Sequence, residues 1–394
     1  MEFDFLEPVN DAIVKFVSAL SSQELGSKVV FHTQDQFPDI EKINIAIVGV
    51  LEDRTNINMV NEVNLSAVRK KLYGMFPGNW DASIADLGDI LAGDSIEDTY
   101  FAVKKVTAAL IKNKVIPIVL GGSQDLTYAL YRAYDDLEQM VNLVAVDNKF
   151  DFGKENESVS ANSYLTKIII DEPNNLFNYC NIGYQTYYNS QEEIDLIEKL
   201  FFDAYRLGEI SNKITLAEPV FRDADLVSID LNSVKSSASG NTVTFEPNGF
   251  NGKEICSLAR YAGISDKVSS FGIFNHNSTM AESVIISQIV WYFIEGYHYR
   301  SKEYPFGSRA NYLKYIVPLE DEELIFYKSD KTDRWWIEIP FESNGSNKLK
   351  RNTLLPCSYD EYLSACNQEL PERWWKAQRK KRFITRKFKR NLKF

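Results

Sequence analysis

Leu143-Val144-Ala145-Val146-Asp147-Asn148-Lys149-Phe150-Asp151 joins an apolar, β-rich run to a polar one. Residues two apart on an extended chain face the same side, so Asp147, Lys149 and Asp151 are expected to converge beyond the end of a strand. The same transition occurs twice more. Leu120 closes an apolar run and leads into Gly121-Gly122-Ser123-Gln124-Asp125 ahead of a helical stretch, and Leu226 to Leu231 carries Ser228-Ile229-Asp230-Leu231-Asn232, with Asp230 and Asn232 again two apart. Together with Ile43 to Val50 and Val268 to Phe274, these are five apolar runs separated by helical stretches, the order that predicts a parallel sheet covered by helices. Polar residues at the carboxyl edge of such a sheet are where sites are built. A glycine pair after a strand is by itself most simply a tight turn. Three polar strand ends, taken together, point to one place.

Outward from that centre, Ser95 to Lys114 reads as a helix capped by Ser95, with Glu97 and Asp98 in its positive first turn and lysines at its end. Ala281 to Glu295 reads as a buried helix. From about Arg300 the rhythm changes to short aromatic, charged runs, Glu323 to Lys328 and Trp335 to Pro340, with Asn344-Gly345 as a turn between extended segments. The expected organisation is an α/β domain over 1–300, an aromatic-rich extension over 301–375 packed on it, and a basic amphipathic tail over 376–394. The Arg-Trp-Trp triplets at Arg334 and Arg373 are read as hydrophobic anchors of the extension.

The 394 residues, 44% hydrophobic and 25% charged, have the composition of a soluble globular protein. The amino terminus lacks a basic stretch followed by an apolar one, and no apolar run approaches transmembrane length. Cys180, Cys256, Cys357 and Cys366 are scattered without a C-x-x-C pair, which suits free thiols in a reducing compartment, so the cytoplasm is the expected location. The net charge of −11 hides an asymmetry, because Lys376 to Phe394 holds ten of the 44 Lys and Arg and none of the 55 Asp and Glu. On a helix Ile384, Phe388 and Leu392 form one apolar stripe, with Arg379, Lys380, Lys381, Arg382, Arg386, Lys387, Lys389 and Arg390 around it. Such a tail suits an anionic membrane surface, RNA or DNA phosphates, or an acidic protein surface, including another copy of this chain; the bland reading is a solvated tail.

The order of the three motifs resembles the ureohydrolase superfamily, that of arginase, agmatinase and formimidoylglutamase. Its signatures are a glycine pair with Asp-His, then Asp-Ala-His-x-Asp, then Ser-x-Asp-x-Asp. The resemblance covers roughly Ile43 to Tyr299, and includes Glu52 and Arg54, Ala67-Val68-Arg69, Pro247-Asn248-Gly249 and Asn275-His276-Asn277. It implies a three-layer α/β/α fold with a central, mainly parallel sheet. It also implies a pair of manganese ions held by two histidines and four aspartates, and hydrolysis of the C–N bond of a linear amidine. The aromatic extension looks most like formimidoylglutamase-like members.

Against that pattern Gln124 and Lys149 stand at the histidine positions, Asn232 at the last aspartate, and Asn275 at a glutamate associated with the guanidinium-like group. Protonated lysine cannot coordinate a cation, and amide carbonyls bind hard cations weakly. The expectation is a protein without a metal cofactor and without catalytic residues. Asp147, Asp151 and Asp230 remain as a weak site for a single Mg2+ or Ca2+. Lys149 is expected within salt-bridge distance of Asp151 or Asp230, with Lys235 as a second cation nearby, so that removing Lys149 would strand buried carboxylates. Three functions follow: a ureohydrolase-fold pseudoenzyme that binds or scaffolds a protein partner; an active formimidoylglutamase- or arginase-like hydrolase; and a membrane or nucleic-acid adaptor working through the tail. The superfamily's usual trimers and hexamers make self-association an expectation too.

Overall fold

A computed structural model of the chain describes residues 2–55, 63–154, 157–277, 279–303, 305, 310–320, 322–339 and 354–380. It divides into two compact units, one formed by Met1–Asn189 with Tyr205–Arg300 and the other by Ser190–Ala204 with Ser301–Phe394. The boundary at Arg300 coincides with the change of rhythm in the sequence. The segment 190–204, assigned by sequence to the first domain, instead clusters with the carboxy-terminal residues.

A ten-stranded sheet runs through the fold. Its strands are β1 (Leu6–Glu7), β2 (Val30–Phe31), β3 (Ile45–Leu51), β4 (Ile84–Leu91), β5 (Ile116–Gly121), β6 (Val141–Val146), β7 (Leu176–Tyr184), β8 (Asp203–Arg206), β9 (Leu226–Asp230) and β10 (Ser270–Phe274). Their spatial order is β1-β4-β3-β5-β10-β9-β6-β7-β8, with β2 also on β4. From β4 through β7 the neighbours pair parallel, and β1 joins antiparallel. The central strands are buried on both faces, as Val and Ile runs without alternation require. Register sets the site. Leu120 of β5 and Ile229 of β9 both lie opposite Ile273 of β10, and Val146 of β6 lies opposite Ile229. The carboxyl ends of these four strands therefore come out level.

The helix Ile96–Lys112 is capped by Ser95 as expected, and the structure adds a capping box closed by Asp98; Met280–His298 has another from Thr279 and Glu282. The latter helix packs on Gly252–Ile264 through glycines. A Cβ on Gly263 would lie 2.1 Å from Phe293 O, and one on Gly296 2.4 Å from Arg260 O. Among the described residues no helix is long and apolar enough to cross a membrane. All four cysteines are free thiols.

The second unit contains a four-stranded antiparallel sheet, β11 (Tyr312–Pro318), β12 (Glu323–Ser329), β13 (Trp335–Glu338) and β14 (Leu354–Cys357), and the helix Tyr359–Cys366. Trp335 and Trp374 sit in its core with Phe326 and Ile337, so these aromatics make a core of their own. The start of the basic tail differs from expectation. Residues 372–380 are helical, Lys376 pairs with Asp203 at 3.7 Å and Glu372 at 2.7 Å, Arg379 stacks over Trp375, and Lys380 is buried with its Nζ 5.4 Å from the Phe202 ring centre. Three residues assigned to a partner-binding tail are thus engaged inside this unit, because the stems of long cations pack on aromatic surface. Lys381, Arg382, Ile384, Arg386, Lys387, Phe388, Lys389, Arg390 and Leu392 lie outside the described residues, as does the turn at Asn344-Gly345.

Candidate functional site

The glycine pair after β5 is demanded by packing. Gly122 N–H donates to Val50 O at the end of β3, and a Cβ on Gly122 would lie 1.6 Å from Glu52 O. This contact turns the chain so that Gln124 is delivered, fully buried, across the strand ends. Its backbone N–H donates to Asn275 Oδ1 at 3.1 Å, its Nε2 to Asp147 Oδ2 at 2.6 Å and to Tyr164 Oη at 3.2 Å, and its Oε1 accepts from Asn275 Nδ2 at 3.3 Å. The partners fix the amide orientation, because an ionised carboxylate can only accept and Asn275 Nδ2 can only donate.

Asp147, Asp151, Asp230, Gln124 and Asn275 are all buried, and they come together as the motif order implied. Asp147 Oδ1 accepts from the backbone N–H of Lys149 at 2.9 Å, and Asp230 Oδ1 from that of Asn232 at 2.7 Å. The side chain of Asn275 also bonds Asp230. Asp151 Oδ2 is buried without a hydrogen-bond donor. Burial is the largest cause lifting all three acids. Asp147 rises above the usual carboxylate range, Asp151 rises well above it because the negative charge of Asp147 adds to burial, and Asp230 is pushed up to about 8. Burial also drives His276 down to about 4, which keeps it neutral near pH 7.

Lys149 is not seated among these acids. Among the described residues it forms no ion pair, and its Nζ lies 5.7 Å from the ring centre of Tyr188. The extended alternation fails because β6 ends at Val146. The Asp147 carboxylate then captures the Lys149 N–H, Asn181 Nδ2 holds the Lys149 carbonyl at 2.7 Å, and Asp151 turns into the left-handed region at φ 55. The chain thus turns where sequence reading kept it straight. The charge of Lys149 still lowers the pKa of all three acids, but less than burial raises it. Lys235 makes no ion pair among the described residues either; its backbone N–H bonds Phe250 O. The backbone carbonyl of Asn232 accepts from Asn148 Nδ2 at 3.2 Å.

Tyr164, Tyr179 and Asn181 also line this centre and were not singled out from the sequence. Tyr164 is fully buried and held well above its ordinary pKa, first by burial and then by Tyr179 and the carboxylates. No local pattern marks a tyrosine inside an apolar helix as polar lining. Among the described residues no three His, Cys, Asp or Glu side chains are grouped to hold a metal ion. Chemically the centre is a set of buried carboxyls in which amide and backbone N–H donors serve Asp147 and Asp230, while Asp151 Oδ2 has none.

Comparison with known proteins bears on this geometry. The profile of the Arginase family matches residues 44–293. The formimidoylglutamase of Staphylococcus aureus (strain MSSA476) is 24% identical over 223 residues, 54% of this chain and 71% of that one. That of Geobacillus thermodenitrificans is 29% identical over 131 residues, 32% of this chain and 38% of that one. Among solved structures, formimidoylglutamase from Bacillus subtilis superposes with a TM-score of 0.62 at 15% identity, over 72% of this chain and 93% of that one. Trypanosoma cruzi formiminoglutamase with Mn2+ superposes with a TM-score of 0.60 at 16% identity, over 67% and 97%. At these identities the structural likeness is one of fold.

Proposed function

Since the chain belongs to the arginase family, we propose that it is a formimidoylglutamase-like member that keeps the family's architecture without its two-metal hydrolysis, and that it serves as a binding or scaffolding protein. The observation that carries this reading is the 2.6 Å bond from Gln124 Nε2 to Asp147 Oδ2. An N–H donor directed at a carboxylate takes the lone pair that a cation would use. The rest of the donor set points the same way. A lysine stands at position 149, whose ammonium cannot coordinate a cation, and Asn232 offers only an amide. These residues do not fit a pair of Mn2+ ions.

The hydrolase reading, with a linear amidine as substrate, has a specific observation in its favour, since the relatives found by sequence are named formimidoylglutamase. Metal analysis of the purified, untagged chain separates the two, together with assays for formamide or urea release from formimino and guanidino compounds. The pseudoenzyme reading expects no stoichiometric manganese and no turnover. Two bound metals per chain, or metal-dependent turnover abolished by Asp147→Ala, would defeat it. The partner is proposed to be a protein, a further copy of the chain included, with an anionic membrane surface or RNA as the targets of the tail. The proposed setting is the cytoplasm. Co-sedimentation with anionic liposomes and with RNA, and pull-downs at two salt concentrations, test those targets.

A further inference from the structure

The candidate centre lies across four adjacent strands, in the order β5, β10, β9 and β6. Each contributes one residue at or just beyond its carboxyl end: Gln124 after β5, Asn275 after β10, Asp230 closing β9 and Asp147 after β6. Ladder hydrogen bonds join only neighbouring strands, and at about 4.8 Å per spacing the outer two of these four stand roughly 14 Å apart. The 2.6 Å bond from Gln124 Nε2 to Asp147 Oδ2 joins the ends of those outer two directly.

Asn275 closes the circuit. Its backbone lies in the left-handed region at φ 58, where asparagine is among the few residues with a side chain that are at ease, and its N–H donates to Gly122 O at 2.7 Å. So placed, the side chain meets Gln124 twice, in opposite senses. Oδ1 accepts the Gln124 backbone N–H at 3.1 Å, and Nδ2 donates to Gln124 Oε1 at 3.3 Å. The same side chain bonds Asp230. A run of hydrogen bonds therefore leads from Asp230 through Asn275 and Gln124 to Asp147, and it ties together two carboxyls whose like charges oppose each other. Tyr164 Oη, on the helix Tyr164–Ile170, accepts from Gln124 Nε2 as well, at 3.2 Å. Both amide side chains are buried, where linked hydrogen bonds polarise and strengthen one another.

We propose that Gln124 and Asn275 form an amide clasp that braces the carboxyl edge of the sheet in place of a metal pair. This rests on the reading above that the centre does not fit two Mn2+ ions. Its consequence is a strand-end edge that is complete in the chain itself, with a stability indifferent to metal supply and set by two side chains acting as a unit.

A double-mutant cycle tests this. Gln124→Met keeps the length of the side chain and loses its amide, and Asn275→Gly removes the side chain at a backbone conformation that glycine adopts without strain. In urea titrations of the chelator-treated chain each variant is expected to lose stability. The double variant should fold more favourably by about tenfold than the product of the two single losses predicts, a coupling of about 1.4 kcal/mol. Losses that multiply to within about twofold would overturn the clasp. Adding Mn2+ to the wild-type chain should leave its midpoint where it was; a rise in the folding constant of about tenfold or more would also overturn it. The wild-type chain offers a measurement that needs no variant to fold. By NMR, the side-chain amide protons of Gln124 and Asn275 should exchange with solvent far more slowly than those of exposed amides, and exchange at the exposed rate would sink the proposal. Bound manganese or turnover strikes the reading of the centre as metal-free, whereas additive losses in a chain without metal strike the clasp alone.

Discussion

Two buried carboxylate clusters in the same unit are held together in opposite ways. Asp86 and Asp89 face the buried guanidinium of Arg69, which bonds Asp86 at 2.8 and 3.1 Å and Asp89 at 2.8 and 3.0 Å. Arg69 is held well above its ordinary pKa: burial alone would lower it, but the two carboxylates outweigh that. Asp147, Asp151 and Asp230 have one more charge to neutralise and no cation in contact. Amides and backbone N–H groups take the cation's place at Asp147 and Asp230. Where a rigid, forked donor is seated, it meets the carboxylates directly; where the nearest cation is a lysine drawn to an aromatic ring, burial pushes the carboxyl pKa values up instead.

The sharpest break in that contrast is Arg69→Met. It strands two buried carboxylates and should lower unfolding free energy by about 3–5 kcal/mol in urea titration. If the loss is under about 1.4 kcal/mol (one tenfold change in the folding constant), the first cluster is not ion-paired as described. Gln124→Ala should follow at about 1–3 kcal/mol, since Asp147 loses its side-chain amide donor and a cavity is left. A smaller effect would show that water replaces the amide.

The third effect is one of pH. Carboxyls whose folded pKa is raised bind more protons in the folded state, so their stabilisation is complete below the unfolded value near 3.9 and is lost as pH rises. For Asp230 that loss continues through about 8. Asp151→Asn keeps the hydrogen-bonding shape without the charge. It should therefore gain on wild type between pH 5.5 and pH 8, by about 1.4 kcal/mol for each unit of the raised pKa it abolishes. Parallel stability–pH profiles for the two proteins would show that the Asp151 pKa is not raised in the folded chain.

The smallest effect should be Lys149→Ala. An exposed cation–π contact is worth about 0.5–1 kcal/mol, so this variant should lose less than about 1 kcal/mol in the same titration. The seated salt bridge expected from sequence would have cost several times more. A loss above 3 kcal/mol, near the full value for a broken buried pair, would return Lys149 to the acid cluster.

Much of this was legible in the sequence. β3, β5, β6, β9 and β10 are continuous apolar runs bounded by polar motifs, and burial on both faces leaves no other pattern available to them. The capping box at Ser95 is a local signature that needs no tertiary partner. β4 and β7 were missed for the converse reason: Ile84–Leu91 carries Asp86 and Asp89, and Leu176–Tyr184 carries Asn178 and Asn181. Polar residues inside a strand are tolerated only once a partner such as Arg69 arrives from another element, and the strand's own sequence does not name that partner.

The candidate centre divides along the same line. That Gln124, Asp147, Asp230 and Asn275 meet follows from motif order and from the level carboxyl ends of parallel strands, which is topology that sequence patterns encode. Where the cations go does not follow. Lys149 faces Tyr188, and Lys380 settles on Phe202, because a lysine's long stem lets its ammonium take whichever partner the turning backbone and neighbouring elements present. By itself the sequence determined the five apolar strands β3, β5, β6, β9 and β10, the family to which they belong and which polar residues stand at their ends. Only the tertiary structure decided how three buried acids are neutralised, because desolvation and hydrogen-bond geometry are properties of the packed surroundings and not of any one segment.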